Sequence, residues 1–319
     1  MIEQKLYTEI IRTFPINAVE LLVLNQQNEI LMLKRENEPA KSQWWIPGGR
    51  ILFAESRMNA AKRLLKNECG MTASAITDFG MYDYQVKNKE ANHHHHIIST
   101  IYVMKISHGE VKIDSQSNEF KWAQVSEWLK KVEHGFLKHL LLNLSQKKTD
   151  PSFWDEQAND KDKIQFIRDD LYNVILQSLS IPCVDLLVRN KKGEILLVKR
   201  KNEPEKDKWW VPGGRVHFGE KRTDTAIRKL KEECNLEGTH YTEIGNFEFV
   251  YNLKNDRVIH NISSLYSVTV NSENVTLDEQ SSDFSWRSSD AWLRESLSEF
   301  ITDIIKNKIT YGKTYGQYN

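Results

Sequence analysis

Lys34–Gly70 reads KRENEPAKSQWWIPGGRILFAESRMNAAKRLLKNECG, and Lys199–Asn235 reads KRKNEPEKDKWWVPGGRVHFGEKRTDTAIRKLKEECN. The two stretches align without a gap at an offset of 165 and agree at 21 of 37 positions. Both carry a Lys-Arg pair, an Asn-Glu-Pro turn, a Trp-Trp pair, Pro-Gly-Gly-Arg and a helix-like run ending in Glu-Cys. Downstream the match resumes at an offset of 164, pairing His96–Tyr102 with His260–Tyr266 and Gln116–Trp122 with Gln280–Trp286. Solenoid repeats recur every 20 to 50 residues or so, and this period is a whole domain. The 319-residue chain is therefore a tandem duplication.

Each copy repeats one order of elements. A leading helical stretch (Gln4–Thr13; Lys163–Ser178) runs into a strand, Ala18–Leu24 or Val184–Arg189. A turn at Asn28-Glu29 or Gly193-Glu194 leads to a second apolar strand, Ile30–Lys34 or Ile195–Lys199, so the pair reads as a β-hairpin. The Pro-Gly-Gly loop, a helix, strands around Ile97–Ile106 and Ile262–Val270, and a closing helix near Ser126 or Ser289 follow. Strands and helices mix without strict alternation, which points to an α+β fold rather than a doubly wound parallel sheet. The expected organisation is a first copy at 1–145, a polar linker at 146–162 and a second copy at 163–319.

Composition excludes several classes. Basic and acidic residues number 44 each, and a division at residue 150 leaves halves of +3 and −3, too mild for a nucleic-acid-coating protein. With 39% hydrophobic and 28% charged residues the chain reads as globular. No apolar run approaches the ~20 residues of a membrane helix, and the first residues lack a signal core. Three cysteines cannot build a disulfide framework, so a cytoplasmic location is expected.

The chemistry sits after the Trp pair. Gly49, Glu55, Arg63, Leu65, Glu68, Gly70 and Met71 recur as Gly214, Glu220, Arg228, Leu230, Glu233, Asn235 and Leu236. Glycines let a backbone approach a ligand closely and free a carbonyl oxygen for a cation. Positions 64, 67 and 68 share one helix face, where carboxylates would offer the oxygen ligands Mg²⁺ prefers. Gly70 and Asn235 suit a left-handed helix end. This spacing resembles the Nudix box, Gly-x5-Glu-x7-Arg-Glu-U-x-Glu-Glu-x-Gly-U with U aliphatic, and the resemblance implies two Nudix-type α/β/α sandwiches with mixed sheets.

Departures from that box sharpen the resemblance. The glutamate expected after Arg is Leu64 in the first copy and Lys229 in the second; the first also has Asn67 where another glutamate is common. A trio of metal-loading carboxylates is thus ruled out for the first copy, while the second keeps Glu232 and Glu233. Both halves are similar to the GDP-mannose mannosyl hydrolase branch, which lacks the same glutamate and attacks the anomeric carbon of a nucleotide sugar. What that resemblance implies is a hydrolase using Mg²⁺, with Mn²⁺ as the alternative, on a GDP-mannose-like compound. Its metal would be held by the Gly48 carbonyl, Glu68 and Gln116, or by the Gly213 carbonyl, Glu232, Glu233 and Gln280. Arg50 and Arg215 fall at the leaving-group arginine; Arg35 and Arg200 fall at a diphosphate contact, a task suited to a bidentate guanidinium. Glu20 and Asp185 match an acidic residue near substrate, and His96 and His260 replace a tyrosine that contacts the diphosphate.

One departure bears on catalysis. The branch places a histidine base directly after the motif's glutamine, and here that residue is Ser117 or Ser281. Serine cannot carry a proton reversibly near neutral pH, and a general base contributes about 10²–10⁴ in rate. Substitutes within the sequence are His96, His260, Glu119 and Asp283. Glu55 and Glu220 are expected to brace the loop through Arg63 and Arg228, one Trp of each pair to pack in a core, and His93–His96 to form no metal site. Two other readings stay open: cleavage at phosphorus of another nucleoside diphosphate derivative or triphosphate, and nucleotide-sugar binding without turnover in one or both copies. The expected partner is a nucleotide-sugar or nucleotide small molecule, with no nucleic acid and no membrane. Because branch members pair as dimers, the tandem could form a pseudo-dimer within one chain, with a homo-oligomer as the alternative.

Overall fold

The computed structural model describes residues 3–106, 109–150, 153–154, 167–203, 205–252, 258–308 and 313–315. Most of the expected linker, and residues 163–166 of the helix expected after it, lie outside the described residues. The chain divides into two compact units, Met1–Ser180 and Ile181–Asn319.

The first unit runs α1 (Gln4–Thr13), β1 (Ile16–Leu24), β2 (Ile30–Arg35), β3 (Trp44–Trp45), β4 (Gly48–Arg50), α2 (Arg57–Cys69), β5 (Ala75–Asn88), β6 (His93–Lys105), β7 (Ser117–Ala123), α3 (Val125–Lys131), α4 (Gly135–Gln146) and α5 (Asp169–Ser178). Its mixed seven-stranded sheet has the order β3-β2-β1-β6-β5, with β4 also on β1 and β7 also on β2. The second unit repeats it as β8 (Ile181–Arg189), β9 (Ile195–Arg200), β10 (Trp209–Trp210), β11 (Gly213–Arg215), α6 (Arg222–Cys234), β12 (Gly238–Asn252), β13 (Val258–Val270), β14 (Ser281–Arg287), α7 (Ser289–Trp292), α8 (Glu299–Ile305) and β15 (Lys313–Tyr315). Here β15 adds an eighth strand, parallel to β12. Both units are α+β with mixed sheets, as the sequence reading expects.

The expected β1–β2 hairpin is only a hinge. The two strands share one register pair, Leu24↔Ile30, because β4 pairs antiparallel with the start of β1. The far edge of β1 is taken by β6 in parallel from Ile16↔Ile97 to Leu24↔Lys105. All nine residues of β1 are buried, the pattern of a strand covered on both faces. At the turn between β1 and β2, Asn25 Oδ1 accepts from the amides of Gln27 and Glu29; Asn190 repeats this with Lys192 and Glu194.

Two helices close each copy where the sequence suggests one. Trp128 of α3 and Trp292 of α7 are wholly buried, and each indole N–H donates to the first carbonyl of the second strand, Ile30 or Ile195, at 2.8 and 2.9 Å. Around them Phe136, Leu140 and Leu141 of α4, or Phe300, Ile301 and Ile304 of α8, complete the apolar core. No helix among the described residues is long and apolar enough to cross a membrane.

Candidate active site

The box helix is fixed at both ends. Ser56 Oγ caps α2 by accepting from Asn59 N, and Gly70 ends it at φ 70°; Asn235 ends α6 at φ 53°. The loop before α2 is held by Glu55, whose two oxygens take Arg63 Nε and Nη2 at 2.6 and 2.7 Å, while Nη2 also donates to the Arg50 carbonyl at 3.1 Å. Glu220, Arg228 and the Arg215 carbonyl repeat this at 2.7, 2.7 and 3.1 Å. This is the geometry of a brace.

The first glycine of each pair serves the sheet. A Cβ on Gly48 would lie 2.5 Å from the Val19 carbonyl oxygen, and one on Gly213 would lie 2.4 Å from that of Val184. Only glycine lets β4 and β11 pair so closely with β1 and β8. The sequence reading credits this glycine to ligand approach alone; strand contact already demands it.

In the first copy, Glu68 leans back from α2 so that Oε2 accepts the Gly48 amide at 3.0 Å. Burial, with Asp114 adding like charge, pushes its carboxyl up to about 7. Glu20 lies on β1, 3% exposed, with Oε1 accepting from Trp45 Nε1 at 2.7 Å and the Tyr84 hydroxyl at 2.9 Å. Its Oε2 is buried, and burial raises the pKa of the group against the opposing pull of Trp45, Tyr84, Ser99 and Arg35. Arg35 is anchored by Nε on the Pro39 carbonyl at 2.8 Å, and its charge acts on both Glu20 and Glu68. Gln116 donates from Nε2 to Asp114 at 3.0 Å. Arg50 lies over the Tyr7 ring of α1 at 4.7 Å.

In the second copy a cavity of about 200 Å³ is lined by Asp185, Arg200, Gly213, Glu233 and Gln280, with Phe249, Tyr251 and Ser281 among its other walls. Five of the eight expected site residues of this copy thus share one cavity. Glu233 Oε2 accepts the Gly213 amide at 3.1 Å. Asp185 accepts from Ser263 Oγ at 2.5 Å, and burial pushes its carboxyl up to about 6. Phe249 and Tyr251 stack at 5.3 Å and offer a flat apolar wall.

Three expected residues of this copy do not line the cavity. Arg215 belongs to the brace through its carbonyl. Glu232 projects to solvent, 46% exposed, bonded to Arg228 and Lys229. His260 is 1% exposed and bonded through Nε2 to Glu248 at 2.9 Å, in a network that also holds Thr314 of β15. His96 is likewise wholly buried, its ring edge-on to Trp154 at 5.4 Å. Of the other substitute bases, Glu119 pairs with Lys34 at 3.4 Å on the surface, and Asp283 takes its own neighbour's amide, Phe284 N. His93 and His95 lie on β6 with rings stacked at 4.8 Å.

Sequence reasoning overlooked Asp114 and Asp278, which hold the two glutamines and act electrostatically on Glu68 and Glu233. The repeated Asp-x-Gln carried that signal. It also gave Lys229 no role, although its Nζ sits 2.7 Å from Glu233 Oε1.

Whether a divalent ion suits these residues depends on the copy. Among the described residues no group of three or more His, Cys, Asp or Glu side chains forms a metal cluster. Glu68 nonetheless offers a buried carboxylate whose raised pKa a cation would relieve, beside the second carboxylate of Asp114, so the first copy fits. Glu233 already holds an ammonium, so the second copy does not fit.

The NUDIX domain model matches residues 15–144 and 180–307, one match to each copy. The low-salt glycan biosynthesis protein Agl8 of Haloferax volcanii is 34% identical over 131 residues, covering 40% of this chain and 83% of that protein. The ADP-ribose pyrophosphatase of Methanocaldococcus jannaschii is 27% identical over 97 residues, 30% of this chain and 55% of that protein. Among solved structures, the NUDIX domain of Shewanella oneidensis NrtR complexed with ADP ribose covers 42% of this chain and 88% of its own, at 16% identity and a TM-score of 0.37. With the box loop, its brace and its helix built twice over and both copies matched by the family model, the chain belongs to the Nudix family as a tandem of two NUDIX domains.

Proposed function

We propose that the first copy is a Mg²⁺-dependent hydrolase, with Mn²⁺ as the alternative ion, that splits a GDP-mannose-like nucleotide sugar into nucleoside diphosphate and sugar. The observation that carries this reading is the Glu68 cradle: a buried carboxylate held by the Gly48 amide, within electrostatic range of Arg35 and Asp114. A divalent cation bound there would neutralise charge on the departing diphosphate. Arg35 supports the same oxygens with a fixed guanidinium, and Arg50 is placed one residue beyond the glycine pair. Glu20 is our choice of base in place of the missing histidine, since it sits on β1 opposite Gly48 and burial raises its pKa. Tyr84 and Trp45 would hold that carboxylate in position through Oε1. The similarity to a relative named for glycan biosynthesis supports a sugar-bearing substrate.

Incubation with GDP-mannose and a panel of nucleotide sugars, read by phosphorus and proton NMR, tests the reading. Free sugar with nucleoside diphosphate is the expected result, and Glu68→Gln should lower the rate by at least about 10²-fold. Sugar phosphate with nucleoside monophosphate would move the chemistry to phosphorus. Unchanged turnover in Glu68→Gln would remove the metal assignment.

A further inference from the structure

The two copies build the same carboxylate cradle and fill it differently. Glu68 Oε2 and Glu233 Oε2 each accept a glycine amide, at 3.0 and 3.1 Å. Their second oxygens part company. Glu233 Oε1 holds Lys229 Nζ at 2.7 Å, with both side chains only 11% exposed. Where the second copy has Lys229, the first has Leu64, and no ion pair to Glu68 is found among the described residues. Gly214 makes the lysine's path possible: a Cβ there would lie 2.7 Å from Lys229 Cε and 3.3 Å from Nζ. In the first copy a Cβ on Gly49 would meet Leu64 Cδ2 at 3.1 Å and Glu68 Oε1 at 3.8 Å, so a methyl group and a carboxylate oxygen border that space. Gly214 and Glu233, the two residues against which the Lys229 side chain packs, both line the second copy's cavity.

A buried ammonium at hydrogen-bond distance already supplies the positive charge that a divalent ion would bring. It also repels such an ion and occupies the carboxylate lone pair the ion needs. We propose that the second copy carries its cation covalently: Lys229 replaces the divalent ion beside Glu233, so this copy takes the diphosphate of its ligand without metal and the chain binds one divalent ion rather than two. Lysine suits the position as a compact point charge with three donors: one holds Glu233, one holds Glu232 at 3.2 Å, and the third is left for a phosphate oxygen. The proposal rests on the reading of Glu68 as a ligand of the divalent ion in the first copy.

Counting Mn²⁺ bound to the full-length chain by electron paramagnetic resonance tests it. One ion per chain is expected, none in Glu68→Gln, one in Glu233→Gln, and two in Lys229→Leu, which copies the first copy's leucine. Two ions in the unsubstituted chain, one lost in each glutamine variant, would overturn the proposal and leave the reading of Glu68 intact. No ion at all, or one that Glu68→Gln leaves in place, would overturn the reading of Glu68 and the proposal with it. If Lys229→Leu fails to fold by circular dichroism, the two glutamine variants decide alone. Calorimetric titration with inorganic pyrophosphate in EDTA adds a metal-free readout. One site is expected, unaffected by Glu68→Gln and weakened at least about tenfold by Lys229→Leu, which removes the ammonium. Pyrophosphate binding that needs Mn²⁺ throughout would overturn the proposal.

Discussion

Asp185 shows how one buried side chain ties stability to pH. It is 8% exposed, and burial outweighs the Ser263 hydrogen bond and the Arg200 charge, pushing its carboxyl up to about 6 from 3.8. A carboxyl raised in the fold favours the protonated form, so the second unit loses stability as pH climbs from about 4 to about 6 and no further above that. At about 1.4 kcal/mol per pH unit the full loss is about 3 kcal/mol. Asp185→Asn keeps an acceptor for Ser263 and removes the charge. Urea unfolding should therefore show the variant more stable by about 1–3 kcal/mol at pH 7 and near parity at pH 4; a gain that does not depend on pH would refute the burial argument. At this scale the sequence reveals residue types more readily than their company. Glu68, Glu233 and the two glutamines stand out by register, as the repeat aligns them, and Asp185, Arg200, Glu233 and Gln280 do converge on one cavity. Nothing in the register of His260 tells that it is sealed against Glu248, because that depends on β12 and β15 reaching it from distant segments.

At the level of elements, local signals were legible and long-range pairing was not. The box helix announces its own ends, since a residue tolerant of left-handed backbone follows Cys69 and Cys234 in both copies. The brace is legible for the same reason: Glu55 and Arg63 are eight residues apart on one loop and helix. By contrast, β4 slots beside β1 and displaces most of the expected hairpin, a choice made by contacts between residues thirty apart. The paired helix ends can be compared directly. Gly70 has φ 70°, and a Cβ there would also lie 2.9 Å from Lys112 Cβ, so Gly70→Ala adds strain and a clash. Asn235 sits at φ 53°, where glycine is at least as comfortable. Gly70→Ala should cost about 1–2 kcal/mol in denaturant unfolding, while Asn235→Gly changes stability by less than about 0.5 kcal/mol. Equal effects would mean that the backbone angle does not set the end of these helices.

For the whole chain, duplication has preserved a scaffold while side chains around its cradle diverged. Both copies keep the brace, the glycine-backed cradle and the indole bond to the second strand, which are the parts that backbone geometry demands. They differ at Leu64 or Lys229, the buried helix position beside the carboxylate. With Lys229 in the ion's place, as proposed above, the two halves should answer Mg²⁺ unequally. A ligand at 100 times its dissociation constant stabilises the state that binds it by about 2.7 kcal/mol, which is about a hundredfold slowing for amides that exchange only when the site opens. Hydrogen exchange read by mass spectrometry should accordingly show Mg²⁺ protecting peptides from α2 and the Gly48–Arg50 strand, with α6 and Gly213–Arg215 unchanged. In Glu68→Gln the protection should vanish, and in Lys229→Leu it should extend to α6. Equal protection of both helices in the unsubstituted chain would show that the lysine does not stand in for the ion, and that the duplication produced two like sites rather than one of each kind.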